Sequence, residues 1–404
     1  IAMKCQQLNY NGVEQSLLTL LFATSTLIFV KLGAVSLSFP FGLLLLLYVA
    51  ITTLGKLKVT SKSKWLLYFI LVGIISSTTS SFGVDYATVY FWIQLFYWLF
   101  LSTYVSNVYT KVNWTIISRV LAVCTILIGI LFLLVVPGLT QNGVSFLMVL
   151  AGPLGLYGIK KRILKIGYVF LLLALILLNT SRSGAIILFI QICGLLLLHN
   201  INKRKIIRLM WIVIVAIYIF MLPPIRSTVG EWVAPWSPDL SQLLINPHKT
   251  ITEDKDWLQR RFQVQKGLQI FSNHPLLGIG YNNFIKEEVN INLNVFTNID
   301  ANLLNIVEQG SHYRVSHNTY ISILSETGIL GSFFILIFFI GILKVFLKHL
   351  DQLKNTFEAY LFISFCGILI YYYSISGFYG TMEWLLFGML TGAARKLSLS
   401  RRIK

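Results

Sequence analysis

Residues 320–347 read YISILSETGILGSFFILIFFIGILKVFL, twenty-eight positions in which Glu326 and Lys344 are the only charged side chains. A helix crosses the hydrocarbon of a bilayer with about 20 predominantly apolar residues, so this run is long enough. Lipid offers backbone amides and carbonyls no partner, whereas an α-helix closes its hydrogen bonds within the segment. The run is too long and too continuous for a barrel strand, which needs roughly 10 residues of alternating character.

Working outward, runs of the same kind recur from end to end. The chain is 56% hydrophobic and 12% charged, against about 25% charged in soluble domains, and its mean hydropathy is +0.74. Twelve spans are expected, at 14–30, 37–54, 65–81, 87–108, 114–136, 144–159, 166–180, 185–199, 206–222, 320–347, 357–377 and 384–397. The sixth is short and carries Gly152, Pro153 and Gly155, which predicts a kinked or re-entrant helix. The fold class is an all-α polytopic membrane protein of about 12 transmembrane helices with one long, partly helical extracytoplasmic loop. Three regions follow: an N-terminal transmembrane bundle over 1–224, the loop over 225–316, and C-terminal transmembrane helices with a basic tail over 317–404.

The net charge of +18 invites a nucleic-acid reading, which its distribution removes. The loop holds nine of the fifteen acidic residues, Glu231, Asp239, Glu253, Asp254, Asp256, Glu287, Glu288, Asp300 and Glu308, beside eight Lys and Arg. The other bases cluster between spans: Lys56, Lys58, Lys62 and Lys64; Lys160, Lys161, Arg162 and Lys165; Lys203, Arg204, Lys205 and Arg208; Lys344, Lys348 and Lys354; then Arg395, Lys396, Arg401, Arg402 and Lys404. In a twelve-span count every cluster falls on one side, as the positive-inside rule requires. Both termini are therefore expected in the cytoplasm and the loop on the outer face, with no nucleic acid needed. Cys124, Cys193 and Cys366 lie in spans and Cys5 in the N-terminal tail, so no disulfide framework is expected in the loop and no metal spacing appears. The first span lacks a small-residue cleavage site and is expected to be retained.

Three segments carry polar residues to the outer surface. The first is Asn179-Thr180-Ser181-Arg182-Ser183-Gly184, a tight turn in which Ser181 can cap the following helix and Gly184 lets helices approach. Arg182 reads either as a snorkelling interfacial anchor or as an anion clamp whose fork of donors matches phosphate. The second segment, residues 257–271, places Leu258, Phe262, Leu268 and Phe271 near helical spacing and predicts an amphipathic helix. Arg260 and Arg261 on it read equally as solvated charges, lipid-headgroup contacts or ligand contacts. A helix stop and a glycine-permitted turn follow at Asn273-His274-Pro275-Leu276-Leu277-Gly278-Ile279-Gly280. That Gly-x-Gly is no nucleotide fingerprint, because it lacks the third glycine, the strand before and the helix after.

The third segment runs from Ser316 to Gly331. His317 and Asn318 sit at a helix start, and Glu326 follows nine residues on, about 13 Å deeper at ~1.5 Å per residue. Glu326 reads as a group that bonds a neighbouring helix.

Together and in this order, the segments resemble the O-antigen ligase and repeat-unit polymerase superfamily of bacterial envelope polysaccharide assembly. The match is carried by Thr180-Ser181-Arg182-Ser183-Gly184, by Arg260 with Leu268 and Pro275 to Gly280, and by His317-Asn318-Thr319-Tyr320 through Glu326-Thr327-Gly328-Ile329-Leu330-Gly331. Family members commonly carry Trp four residues after the loop arginine, where this chain has Val264. Spacing favours Arg260 over its neighbour Arg261 as that arginine.

The resemblance implies a GT-C-like membrane glycosyltransferase of the bacterial inner (cytoplasmic) membrane, inverting and independent of metal and other cofactors. The donor it implies is a glycan on undecaprenyl pyrophosphate, and the acceptor another lipid-linked repeat unit (polymerase) or lipid A–core (ligase), with a chain-length regulator as a further partner. Arg182, Arg260 and His317 would then be catalytic; Arg261, Arg314, Asn318 and Ser181 would bind pyrophosphate or glycan. Glu326, Gly278 and Gly280 would be structural, and a carboxylate base among Glu287, Glu288, Asp300 or Glu308 stays open. Two readings from other classes remain: a transporter or flippase of an anionic lipid-linked substrate, and a scaffold for other assembly enzymes. The first predicts charged groups near the bilayer midplane, and spans one to nine hold almost none apart from Arg119.

Overall fold

The computed structural model of the protein describes residues 12–26, 31–32, 35–36, 38–53, 57–135, 141–178, 181–199, 223–235, 241–242, 245–246, 255–289, 316–375 and 380–400. The main helices among them begin with α1 (Gly12–Thr26), α2 (Ser38–Thr53), α3 (Ser63–Thr79) and α4 (Tyr86–Val108). Next come α5 (Trp114–Val135), α6 (Gln141–Gly158), α7 (Arg162–Leu178) and α8 (Arg182–His199). In the loop region lie α9 (Pro223–Val233) and α10 (Lys255–Asn273). The C-terminal part has α11 (Thr319–Lys348), the single turn α12 (Leu350–Leu353), α13 (Phe357–Tyr371) and α14 (Thr381–Ser400). The described exception to helix is a small antiparallel hairpin that pairs Lys31 with Ser36 and Leu32 with Val35.

Eleven of the runs expected as spans coincide with helices, while the ninth, 206–222, lies outside the described residues. By length and hydropathy, Trp114–Leu134 and Thr319–Lys348 can cross a bilayer, and five shorter helices are apolar. Helix α11 shows how such a sequence is used. Ile335, Phe338, Phe339, Ile342 and Phe346 are buried, whereas Ile329, Phe333, Leu336, Ile340 and Leu347 stand exposed on another face. A helix apolar on both sides needs protein on one and lipid on the other, and an exposed apolar surface of this extent marks a membrane contact. Leu43, Leu44, Leu47 and Ile51 of α2, and Leu127, Leu131 and Leu134 of α5, extend that exposed apolar surface.

Inside the bundle, small residues set the close contacts, since lipid supplies no hydrophobic drive between helices. A side chain at Gly388 on α14 would strike the Ser102 backbone of α4. Large rings fill the space left: Trp114 stacks on Phe357 with centroids 4.9 Å apart, and Trp384 is fully buried.

The sixth expected span is helical up to Gly158. Helix α6 runs through Pro153 as one element, buried from Val144 to Leu156 against α5, α7, α8 and α13. Its glycines let neighbours approach: Gly155 faces Ala122 and Gly152 faces Leu172. The glycines beside Pro153 thus form a packing surface.

Among the described residues, bases from four of the clusters, Lys62, Lys165, Lys348 and Lys396, lie at one end of the bundle. Lys165 Nζ donates to the Tyr360 hydroxyl (3.3 Å), which meets His199 Nε2 (3.2 Å). Lys396 pairs with Glu358 (2.7 Å), and Lys62 Nζ donates to the Gly341 carbonyl (2.8 Å). The starts of α8 and α11 lie at the other end.

Candidate active site

Asn318 has extended backbone, and its side-chain oxygen accepts from Ile321 N–H at 3.1 Å, so it N-caps α11. His317, just before it, has φ 46°, the left-handed region that costs a non-glycine residue roughly 1–2 kcal/mol. Ser316 helps to hold that turn. Its hydroxyl donates to the Asn318 carbonyl (2.7 Å) and accepts from Asn318 N–H (3.2 Å), with the Ser322 hydroxyl beside it. A strained backbone held by neighbours on both sides aims one half-buried imidazole.

The first turn of α11 is tied to the end of α13. Thr319 N–H donates to the Tyr372 carbonyl (2.8 Å), and the Thr319 hydroxyl to the Ile375 carbonyl (2.6 Å). The Tyr372 hydroxyl donates to the buried carboxylate of Glu383 at the start of α14 (2.7 Å). Next in the chain, Tyr371 places its hydroxyl 3.4 Å from Ser181 Oγ. Ser181 caps α8 as the sequence suggests, accepting from Gly184 N–H at 3.4 Å. A Cβ at Gly184 would crowd Ser145 and Ile176.

Arg260 on α10 lies within electrostatic range of the Tyr371 hydroxyl. On the same helix Gly267 faces Ile321 of α11. The three polar segments therefore meet at one end of the bundle around Tyr371 and Tyr372. Arg182 is the first residue of α8, directly after the Ser181 cap, and Arg261 is half-buried on α10. Arg314 lies outside the described residues, as do Asp300 and Glu308.

A second joint fixes the loop. Helix α11 is broken at Gly328 (φ 62°, ψ −164°), backbone that is nearly reserved to glycine. The turn after α10 enters this break. Ile279 and Gly280 N–H donate to the Ser325 and Glu326 carbonyls (3.0 and 2.9 Å). Ile329 and Leu330 N–H donate to the Pro275 and Leu276 carbonyls (2.9 and 3.3 Å). The Ser325 and Glu326 carbonyls and the Ile329 and Leu330 amides lose helical partners at the break, and the turn supplies new ones. Gly278 and Gly280 have positive φ, and a Cβ on either would strike backbone, of Glu326 and Ser77 respectively. Ser76 Oγ donates a further bond to the Glu326 carbonyl (3.0 Å). The Glu326 side chain is buried at this joint, and its charge acts on Tyr281.

Helix α10 forms where expected, but its buried stripe differs from the expected one. Leu258, Phe262 and Ile270 are buried while Leu268 is exposed. Gln263 and Lys266 share the buried stripe, 0% and 1% exposed, and neither Gln263 amide atom nor Lys266 Nζ has a hydrogen-bond partner among the described residues. Lys266 Nζ stands over the Phe284 ring at 5.3 Å. Burial pushes its ammonium below the ordinary lysine value, with Glu287 and Glu288 pulling the other way. At ~100° per residue, Arg260, Gln263 and Lys266 fall within an arc of about 120°. Sequence reasoning missed this polar arc, although Gln and Lys spaced three apart inside an apolar stripe were its signal. It also missed Tyr371 and Tyr372, whose signal was the run Tyr371-Tyr372-Tyr373 at the outer end of a span.

Residues 167–337 match the family model described as O-antigen ligase. The match begins in α7, ends in α11, and contains all ten site residues expected from the sequence. Tyr371, Tyr372 and Glu383 lie beyond it. No curated protein matches the chain.

Proposed function

We propose that this membrane protein, whose residues 167–337 match the family model described as O-antigen ligase, transfers a glycan from undecaprenyl pyrophosphate to a lipid-linked acceptor, as a repeat-unit polymerase. The observation that carries the reading is the meeting of the Ser181–Arg182 turn, Arg260 and the strained His317 at one end of the bundle.

In this reading the acceptor hydroxyl attacks the anomeric carbon opposite the leaving group. The new C–O bond forms as the bond to pyrophosphate breaks, and the electron pair stays on the pyrophosphate oxygen. The hydroxyl proton passes to His317, since an imidazole can take a proton near neutral pH. The departing pyrophosphate is the larger charge to be stabilised, and fixed cations there lower the barrier most. Arg182 and Arg260 supply them, with Arg261 and Arg314 as further contacts and Lys266 at the far end of the polar arc. Asn318 and Ser181 hold the two helix starts that carry His317 and Arg182.

Both termini are cytoplasmic in this proposal and the site faces outward. The basic clusters at the opposite end of the bundle support that orientation. The Lys-, Asn- and Ile-rich composition suggests a low-GC genome, and in a cell without lipid A a ligase would have no acceptor; the description of the matched family favours the ligase.

Arg182→Ala, Arg260→Ala and His317→Ala are expected to abolish long chains on gels of surface polysaccharide, at normal membrane abundance of the protein. Long chains at normal abundance in all three variants would refute the assignment.

A further inference from the structure

At the end of the bundle away from His317, a cavity of about 380 Å³ lies between the segment leading into α3 and the last turns of α14. Three cations line it, Lys58, Lys62 and Arg395, with the hydroxyl-bearing residues Thr60, Ser61, Thr391 and Ser398. Among the described residues the lining contains no carboxylate. Glu358, a buried carboxylate at this end, is engaged by Lys396 (2.7 Å) and the Tyr109 hydroxyl (3.2 Å).

The walls are held in place. Lys58 N–H donates to Asn107 Oδ1 (3.2 Å), and Asn107 Nδ2 returns a bond to the Lys58 carbonyl (2.9 Å). Thr60 Oγ1 accepts from Ser63 N–H (3.1 Å) at the start of α3. The Gly341 carbonyl draws Lys62 inward, and burial lowers its ammonium from the ordinary lysine value. Like charges brought to one cavity repel unless an anion lies between them. The rim is apolar on one side, where Leu399 stands 49% exposed. Cations, hydroxyls and an adjoining apolar surface describe the interfacial part of a phospholipid, and basic pockets between helices at this level suit anionic headgroups.

We propose that this cavity binds the phosphate headgroup of an anionic phospholipid, with Lys58, Lys62 and Arg395 around the phosphate and Leu399 against the acyl chains. Arg395 offers the paired donors that a phosphate accepts. The site stands apart from the glycosyl-transfer proposal and does not depend on it.

The test uses the full-length protein in nanodiscs of phosphatidylcholine carrying a small fraction of phosphatidylglycerol, with bound lipid counted by native mass spectrometry. Lys58→Ser with Arg395→Ser, both at exposed positions, is expected to lower phosphatidylglycerol affinity by about tenfold or more, given ~1 kcal/mol per interfacial cation. Lys160→Ser with Lys161→Ser, which removes the same charge at the same end outside the cavity, is expected to change it less than twofold. Millimolar inorganic phosphate is expected not to displace the lipid. Equal losses in the two double variants would assign the effect to diffuse charge and overturn the proposal. No preference for phosphatidylglycerol over phosphatidylcholine would overturn it too. Displacement by inorganic phosphate would replace a lipid site by one for soluble phosphate.

Discussion

At the scale of single residues, His317 and Lys266 separate the chemistry from the fold. His317 sits in the left-handed region, which asparagine tolerates better than most residues. His317→Asn therefore keeps the backbone and removes the imidazole, whereas His317→Ala removes both advantages. If the ring handles the acceptor proton, both variants lose transfer by ~100-fold or more in a membrane assay. Activity retained by the asparagine variant alone would reduce His317 to a backbone role. Lys266 carries the opposite signature. Its ammonium is buried and has no hydrogen-bond partner among the described residues, so Lys266→Met is expected to raise the thermal midpoint by roughly 1–4 °C while lowering transfer. The sign with pH follows from its lowered folded-state value. The unfolded chain binds the proton more tightly, so wild-type stability rises with pH between the lowered value and the ordinary one. Differential scanning fluorimetry from pH 8 to 10 is expected to show the variant's advantage shrinking as pH rises. Neither residue's state was open to sequence reasoning: the turn at His317 was legible through its Asn318 cap, but burial of Lys266 depends on the Phe284 side of the loop.

At the scale of elements, the joint between the loop turn and the broken α11 carries the fold's main departure from its sequence. The helix stop at Asn273 and the glycine turn were readable because their rules are local. The break at Gly328 was not, because Glu326-Thr327-Gly328 interrupts an apolar run without proline. What stabilises it comes from about fifty positions earlier in the chain, as four backbone bonds to residues 275–280. Gly328→Ala and Gly278→Ala force a Cβ against backbone of the partner segment. Each is expected to lower the thermal midpoint and to open the turn to protease. Gly83→Ala provides the contrast: Gly83 also has positive φ, 66°, but a Cβ there meets nothing within 4 Å. It is expected to cost only about 1 kcal/mol, from backbone strain alone. A Gly328 variant no less stable than the Gly83 variant would contradict the joint. Helix α6 adds a second lesson, for Gly152 and Gly155, notable in sequence only as helix-weakening residues, serve as a packing face.

At the scale of the whole molecule, the chain is polarised end to end. Bases collect at one end, and the capped helix starts, the loop joint and the arginine-bearing α10 collect at the other. The order of the polar segments along the chain made their convergence legible, and the apolar periodicity made the bundle legible. The tyrosines at which the segments meet were not, because a tyrosine at a span end reads as an interfacial belt residue. The central claim is that this polar end elongates a glycan held on a lipid carrier. It is tested most directly by mass spectrometry of the carrier-linked glycan in cells whose only copy of the protein is Arg260→Ala. The account predicts a pool of single repeat units. Long unattached chains on the carrier, or an unchanged pool, would contradict it.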